Sequence, residues 1–491
     1  MRQSIRLLRR GQVVELVPAA PTATLLDHLR NDEFLHAAKE ACQDAACGAC
    51  TVVVGRIDRD GRLRRSAVNA CALTLAQADG WEVFTLEDLR DGPEGLHPMQ
   101  QALAEANAAP CGFCTPGMVM SLFALSEQAK EHGHVAVENA IAGNLCRCSG
   151  YRPIVDAGVA ALEKGRPNRL RRQDAAVESQ LSGIADHPEP IFIDGEAGAI
   201  IAPTLIEDVF KALAERPAAR IVAGGTALHL ERESEGDRIL LGHVPRLRRI
   251  EDSDERLTVG AAVTLDEFAD AIAGFDPDFK SVVRSIGSPQ IRSVATVGGN
   301  VLAPAPWGDI AALLIAVGGA VTLATKDASR TLEVEELFDR SGRPVLEPGE
   351  LLTEVVVPKV RAGADFRAFR VARRESMAAG VIVAAFLFVV TDGRIASCRV
   401  AFGGLDSAAR RSPAVEEALK GGEPLDRTIW ARAFTALRAD FKPPSDVRAG
   451  PKYRLETAQA LLGKALIEVG SGSDRRTRLR GFRTEAADGS A

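Results

Sequence analysis

Nowhere in these 491 residues does an unbroken apolar stretch of about 18 residues occur, the length a membrane-spanning helix needs, so no span is expected to cross a bilayer. An excess of positive charge is missing too. The formal net charge is −6, which gives no general case for binding nucleic acid. The first ten residues are basic but carry no apolar segment, so no secretory signal is expected and a cytosolic setting is the default. Cysteine is almost absent from the later two thirds of the chain, where Cys398 stands alone; the other eight precede residue 149. Disulfides explain such clustering poorly in a large chain of this kind. Apolar content of 46% and charged content of 26% are ordinary for a globular protein, and the length calls for two to four domains.

What is present is two groups of four thiols. Cys42, Cys47 and Cys50 form C-x4-C-x2-C directly ahead of a strand at Thr51–Gly55, and Cys71 follows. Before them, Ser4–Leu8 and Val13–Val17 alternate about Arg10-Gly11 as a hairpin, and Thr24–Leu29 reads as a short helix. Strands, one helix and this spacing are those of a plant-type ferredoxin [2Fe–2S] site. In the second group, Cys111 and Cys114 form C-x2-C, and Cys146 and Cys148 form C-x-C. Between them, Thr115 is placed to cap a helix with Pro116 in its first turn and Met118, Val119, Leu122, Phe123 and Leu125 apolar. A second helix near Val135–Ala142 stops at Gly143 and Asn144. Two such helices folded back would bring the pairs into one four-thiolate cage. Zinc also takes C-x2-C; the long gap to Cys71 and the C-x-C favour iron–sulfur. Cys398 reads as a core residue in a strand, and His132 and His134 as surface loop residues.

From about Gly165 to Glu189 the chain is polar and broken, and reads as an interdomain linker. An α/β domain follows, with a helix at Leu205–Arg216 and a strand at Ala219–Ala223 running into Gly224-Gly225-Thr226. A second strand begins at Leu257, and a second Gly-Gly turn lies in Thr296-Val297-Gly298-Gly299-Asn300. Glycines without a Cβ let backbone N–H groups approach an anion, although each turn alone is more often structural and neither is G-x-G-x-x-G. Asp309 is placed to take a hydroxyl-rich ligand such as ribityl or ribose, and Trp307 reads as core. After Pro358 a third unit opens with a basic strand at Phe366–Arg374, a β run at Val381–Val390 returning through Asp392-Gly393, and three helices up to Ile467. From Gly470 the composition is that of a disordered tail.

Taken in order, C-x4-C-x2-C…C, P-C-G-F-C-T-P-G…N-L-C-R-C-S-G-Y-R-P, A-G-G-T, Q-I-R-S-V-A-T-V-G-G-N and D-F-K-P-P-S-D-V-R-A-G-P-K-Y-R-L resemble the small subunit of bacterial xanthine dehydrogenase, the iron–sulfur and flavin part of the molybdenum hydroxylases. The resemblance spans about residues 1–469. It implies an α+β multidomain chain: a β-grasp ferredoxin-like [2Fe–2S] domain (1–86), a helical [2Fe–2S] domain (87–165), the linker (166–189), a two-lobed α/β FAD-binding domain of the PCMH type (190–362), an α+β C-terminal domain like that of CO dehydrogenase flavoprotein (363–469) and a tail (470–491). It assigns Cys42, Cys47, Cys50 and Cys71 to one cluster and Cys111, Cys114, Cys146 and Cys148 to the other. FAD contacts carried over by position are Ile221, Val222, Ala223, Gly224, Gly225, Thr226, Ala227, Leu228, Thr296, Val297, Gly298, Gly299, Asn300, Asp309, Leu352 and Arg370. It further implies a separate large subunit holding the molybdenum cofactor, in a heterodimer or a dimer of heterodimers. Electrons from purine oxidation there would pass through the helical cluster, the ferredoxin-like cluster and FAD to NAD⁺. The alternative keeps the scaffold for aldehyde, CO or other N-heterocycle oxidation with an acceptor other than NAD⁺. No side chain is assigned as acid or base.

The chain departs from the family at four places. Gln43, Asp44, Ala45 and Ala46 fill a first cluster loop that is usually glycine-rich. Pro110 stands where glutamine is common, and Ala227 where an acidic residue is expected. The flavin-side loop reads Arg374-Glu375-Ser376-Met377-Ala378, which puts NAD⁺ as acceptor in question.

Overall fold

The computed structural model describes all residues except 91–94, 129–132, 149, 166–167, 187–188, 229–234, 304–307, 474–476 and 479–491. His132 and Trp307 therefore lie outside the described residues. By contact the chain divides into two units, Met1–Arg248 with Gly287–Ala295, and Arg249–Ile286 with Thr296–Ala491. The region expected as one flavin domain, 190–362, is shared between them.

The first unit starts with a hairpin of β1 (Ile5–Arg9) and β2 (Gln12–Leu16), turning through left-handed Arg10 and Gly11, the backbone a tight hairpin turn requires. A helical turn, α1 (Leu25–Asp27), is capped by the Thr24 hydroxyl. Then come β3 (Thr51–Ile57), β4 (Leu63–Asn69) and β5 (Trp81–Phe84). The sheet order is β2-β1-β5-β3-β4, with β1 and β5 parallel and the other pairs antiparallel. The run Val52-Val53-Val54 is fully buried because β3 is covered on both faces. Val52 and Val54 join the core around Leu7 and Leu25, while Val53 faces the helices that follow. Such double coverage makes a strand read as continuously apolar rather than alternating.

Those helices are α2 (Pro98–Glu105), α3 (Thr115–Gln128), α4 (His134–Ala140) and α5 (Tyr151–Glu163). They pack around Phe123, whose ring meets Phe84 and His97 edge-on. Thr115 does not cap α3 as expected: it is the first helical residue, and its buried hydroxyl has no hydrogen-bond partner.

The expected linker is corrected more substantially. Most of it is a helix, α6 (Asn168–Asp186). Val177 and Leu181 bury against Leu8, and Asp174 lies 2.6 Å from Arg65 on β4. Arg65 also pairs with Glu82 at 3.0 Å and Glu127 at 2.8 Å, so one buried guanidinium ties sheet, α3 and α6 together. Val177 and Leu181 form the apolar stripe of an amphipathic helix that polar composition hides in sequence. The unit ends with a small sheet, order β6-β7-β9-β8, of β6 (Ile191–Ile193), β7 (Ile200–Ala202), β8 (Arg220–Val222) and β9 (Arg238–Leu240), with α7 (Ile206–Glu215) between β7 and β8.

The second unit has two sheets. One, order β10-β11-β14-β12-β13, is antiparallel throughout: β10 (Ile250–Asp252), β11 (Arg256–Gly260), β12 (Ala320–Ala324), β13 (Ser329–Glu333) and β14 (Leu351–Pro358). Helices α8 (Leu265–Ala271) and α9 (Pro277–Arg284) follow β11. Next, α10 (Pro289–Arg292) belongs by contact to the first unit. After it come α11 (Val297–Leu302) and α12 (Asp309–Val317). The other sheet is β15 (Ala364–Ala372), β16 (Gly380–Thr391), β17 (Arg394–Gly403) and β18 (Arg410–Arg411), with α13 (Pro413–Leu419), α14 (Arg427–Asp440) and α15 (Pro451–Ser471). The β16 run Val381–Phe386 is buried without alternation, and α12 and α15 both pack on that strand. Asp392 and Gly393 are both left-handed, as that hairpin requires.

The tail expected to be disordered from Gly470 is corrected in part: α15 runs to Ser471. Arg478 lies buried, 2.6 Å from Asp278 and 2.8 Å from Glu468, both fully buried. The rest of that expectation falls on 474–476 and 479–491, outside the described residues.

Candidate metal centres and flavin loops

The fold brings both thiol groups together. In the first, the Cys42 thiol contacts those of Cys47 and Cys71, and Cys50 contacts Cys71. In the second, the sulfurs of Cys148 and Cys111 lie 3.5 Å apart, and Cys114 meets Cys146. Within each of the four pairs one thiol is shifted down and its neighbour up. Cys42 falls through its bond with Cys47, which rises. Cys50 falls through its bond with Cys71, which rises through its bonds with Cys42 and Cys50. Cys111 falls, first through the Phe113 backbone N–H and then through Cys148, which rises through Cys111. Cys114 is pushed up to about 11 by burial and by Cys146, which is itself lowered, against its own desolvation, by the Gly150 and Cys148 backbone. Two sulfurs sharing one proton are what a metal ion displaces.

Among the described residues no three Cys, His, Asp or Glu side chains converge on a single metal ion. In each set the sulfurs are linked one to the next, Cys47–Cys42–Cys71–Cys50 and Cys111–Cys148–Cys146–Cys114, and four thiolates are the number a [2Fe–2S] cluster takes. Backbone N–H groups are aimed at the sulfurs as well, Ala49 at Cys47 (3.5 Å) among them, and such bonds tune cluster potentials. The residues therefore fit two [2Fe–2S] groups.

Local backbone explains how the first loop closes without its glycines. Gln43 (φ 58°) and Ala45 (φ 59°) adopt the left-handed conformation that glycine would take freely, alongside Gly48 (φ 69°). Asn69, two residues before Cys71, donates to the Ala45 carbonyl (3.0 Å) and holds the turn. The two cluster loops also interlock. A Cβ on Gly48 would stand 2.4 Å from the Gly143 carbonyl, and one on Gly117 would stand 2.3 Å from the Gly48 carbonyl.

The flavin candidates occupy both units. In the first, Ile221–Leu228 leaves β8 as a turn whose Gly224 packs against the Val294 carbonyl, where a Cβ would stand 2.4 Å away. Gly225 is left-handed at φ 70°, the Ala223 carbonyl accepts from Gln77 Nε2 (3.3 Å), and Ala227 is exposed. In the second unit, Thr296 caps α11 by accepting from the Gly299 N–H (3.2 Å). Gly298 is packed on Ala261, whose Cβ is 2.7 Å from where its own would be, while Gly299 is exposed. One glycine of each pair is thus required by packing; of the others, Gly225 is required by its left-handed backbone, and Gly299 is exposed with its N–H taken by the Thr296 cap. Asn300 Oδ1 accepts from the Ile310 N–H (3.1 Å), so this side chain caps α12.

Asp309 and Arg370, carried over separately from sequence, form a buried pair, Nε to Oδ2 2.7 Å. Burial pushes the Asp309 carboxyl up, opposed by the guanidinium. Gly380 makes room for it, since a Cβ there would stand 2.6 Å from Oδ1. Asp309 lines a narrow cleft with Ala303, Gly308, Gly380, Gly403 and Gly404. Leu352 is buried beside a bulge in β14, a device that re-aims neighbouring side chains. Glycines and small side chains of this kind are what a nucleotide cofactor packs against. Sequence reasoning passed over Gln77 and Asn69. Their signals, side chains that serve a loop distant in sequence, exist only once the chain is folded.

Comparison with known proteins adds the class. Residues 85–158 match the [2Fe-2S] binding domain family, 196–360 the FAD binding domain in molybdopterin dehydrogenase, and 367–469 the CO dehydrogenase flavoprotein C-terminal domain. Xanthine dehydrogenase of Drosophila pseudoobscura pseudoobscura is 29% identical over 512 residues, 91% of this chain and 38% of that protein. Xanthine dehydrogenase/oxidase of Mus musculus is 31% identical over 415 residues, 74% of this chain and 31% of that protein. Aldehyde oxidase 1 of Cavia porcellus is 29% identical over 446 residues, 79% and 34%. The chain thus spans under two fifths of the length of these relatives. Among solved structures, the Cu,Mo-CO dehydrogenase matches with TM-score 0.52 at 23% identity, over 55% of this chain and 97% of that chain. Quinoline 2-oxidoreductase from Pseudomonas putida 86 matches at 0.51 and 24%, over 56% and 96%. At those identities the likeness is one of fold.

The chain carries regions that match [2Fe–2S]-binding and FAD-binding domain families. Along most of its length it is similar to part of xanthine dehydrogenase and of aldehyde oxidase.

Proposed function

We propose that this chain is the electron-transfer and FAD subunit of a xanthine dehydrogenase-like enzyme, paired with a large subunit that holds the molybdenum cofactor, oxidises hypoxanthine or xanthine and delivers electrons for NAD⁺. The observation that carries the reading is the convergence of two separate sets of four thiols in one unit of a chain that also has the flavin fold. When bound, the clusters supply one-electron chemistry and FAD the junction with two-electron acceptors. The protein's own part is to hold the sulfurs in two groups of four, present backbone N–H groups to them and exclude water from Cys50, Cys71, Cys114 and Cys146, all buried. Asp309 and Arg370 would orient the flavin's polar edge, and the turns at Gly225 and Gly299, which carry no Cβ, would admit its phosphates. Cys111 and Cys148 are exposed, which suits receipt of electrons from a partner surface.

A second reading keeps the scaffold for aldehyde, CO or N-heterocycle oxidation with a different acceptor. It is favoured by the loop Arg374–Ala378, where Met377 is left-handed (φ 56°) and Arg374 is turned back onto the Met377 carbonyl (2.8 Å). Purification with whatever polypeptide accompanies the chain tests both. The first reading expects a molybdopterin-containing partner and NAD⁺ reduction driven by hypoxanthine. Turnover of aldehydes with an artificial acceptor but not NAD⁺ would favour the second, and a partner without molybdopterin would overturn both.

A further inference from the structure

The segment Gly287–Ala295 is flavin-domain sequence by position, yet it packs as part of the first unit. At its centre is Gln290, 1% exposed. Its Nε2 lies 2.8 Å from Ser121 Oγ, 3.0 Å from Asn144 Oδ1 and 3.4 Å from the Ala140 carbonyl. Ser121 Oγ donates to Asn144 Oδ1 (2.7 Å). Asn144 Nδ2 in turn donates to the Gly48 carbonyl (2.9 Å) and to Thr51 Oγ1 (3.2 Å). The orientation of both amides follows from this order. Gly48 offers only an acceptor, so Asn144 presents Nδ2 to it and Oδ1 to Gln290, which must then present its own nitrogen.

Gly48 lies in the loop between Cys47 and Cys50, and Asn144 is two residues from Cys146. Between them, the Leu145 N–H donates to the Cys47 carbonyl itself (2.9 Å). The two cluster loops are thus joined by one backbone hydrogen bond, whose register is set by Asn144, and Asn144 is held by Gln290 and Ser121. Gln290 Oε1, meanwhile, is buried with no hydrogen-bond partner. An orphaned acceptor costs about 1–3 kcal/mol, and an apolar residue of the same shape would avoid it. Its presence is hard to explain by stability; what glutamine supplies there is two N–H donors, directed at Ser121, Asn144 and the more distant Ala140 carbonyl.

We infer that Gln290 is a positioning residue for electron transfer between the two [2Fe–2S] sites, setting the register of the Cys47 and Leu145–Cys146 backbones from the segment that runs on, at Thr296, into the second flavin loop. Each transfer moves one electron from the reduced to the oxidised site, with no proton carried by Gln290. This inference rests on the electron-transfer reading above. The test uses the assembled holoenzyme and the variants Q290L and Q290E, the latter keeping the shape but replacing the donor by an acceptor. Expected are unchanged iron and sulfide content and both paramagnetic signals present. The magnetic interaction between the two centres should weaken, and their electron equilibration, followed by rapid freeze-quench, should slow about tenfold, the scale expected of a small misplacement. Ser121→Ala should shift both quantities in the same direction by less. Wild-type magnetic interaction and rate in Q290L and Q290E would overturn the inference, as would loss of a cluster in both, which would make the role structural. Wild-type enzyme without two paramagnetic signals would instead overturn the function itself.

Discussion

Ala45 is buried and held left-handed at φ 59°, where an L side chain costs about 1–2 kcal/mol. Ala45→Gly should raise stability by up to about 1 kcal/mol once the extra freedom of the unfolded chain is counted, read as a higher melting temperature of the holo chain; no change or a fall would mean the loop is not strained. Arg370→Met would leave Asp309 buried without its guanidinium, the more costly half of such a pair to lose, at about 3–5 kcal/mol. Weaker FAD retention on desalting should accompany the lower melting point if the pair also orients the flavin. A third residue-scale outcome concerns pH. His28 is raised above its ordinary 6.5, despite burial, by the hydrogen bonds its ring donates to Glu33 and Asp32. Glu33 is lowered from 4.5 to about 2, despite burial, by His28 and Arg9. A raised base stabilises below its unfolded value and loses that contribution as pH rises through the folded one. A lowered acid stabilises above its unfolded value and loses it as pH falls through about 2. Their joint contribution is therefore complete between 4.5 and 6.5, and His28→Gln should flatten the alkaline limb of a melting-temperature profile; an unchanged limb would refute the assignment.

Among elements, the strands were the most legible, since alternation or an unbroken β-branched run reports directly on which faces are covered. Val52-Val53-Val54 and Val381–Phe386 read as strands in sequence, and the structure buries both without alternation. The helix α6 was not legible in this way, because Arg-rich, Ala- and Ser-containing sequence looks the same as tether and as solvent face. Only the positions of Val177, Leu181 and Asp174 against Leu8 and Arg65 distinguish them. The C-terminal stretch carries the same lesson. Its composition suggested disorder, yet Arg478 neutralises two fully buried carboxylates, Asp278 and Glu468, the latter also 3.3 Å from Arg367. Arg478→Ala should destabilise the second unit by about 3–5 kcal/mol, measured as the denaturant midpoint of flavin release. A change within about 0.5 kcal/mol, the range of an ordinary surface substitution, would show that the contact contributes little.

At the scale of the whole chain, the thiols were readable because chelation demands short, fixed spacings, and folding merely brings each pair together. The flavin loops were less so. Gly224 and Gly298 serve packing, Asn300 serves a helix end, and Asp309 and Arg370 are legible singly but not as partners. Two binuclear centres in one polypeptide remain the claim on which everything else stands. Electron paramagnetic resonance of the dithionite-reduced holo chain tests it, with Cys47→Ser and Cys146→Ser beside the wild type. The account predicts two distinct signals from about two irons each, one lost in either variant, with FAD still bound in both. A colourless wild-type chain, or a single signal removed by both substitutions, would contradict it.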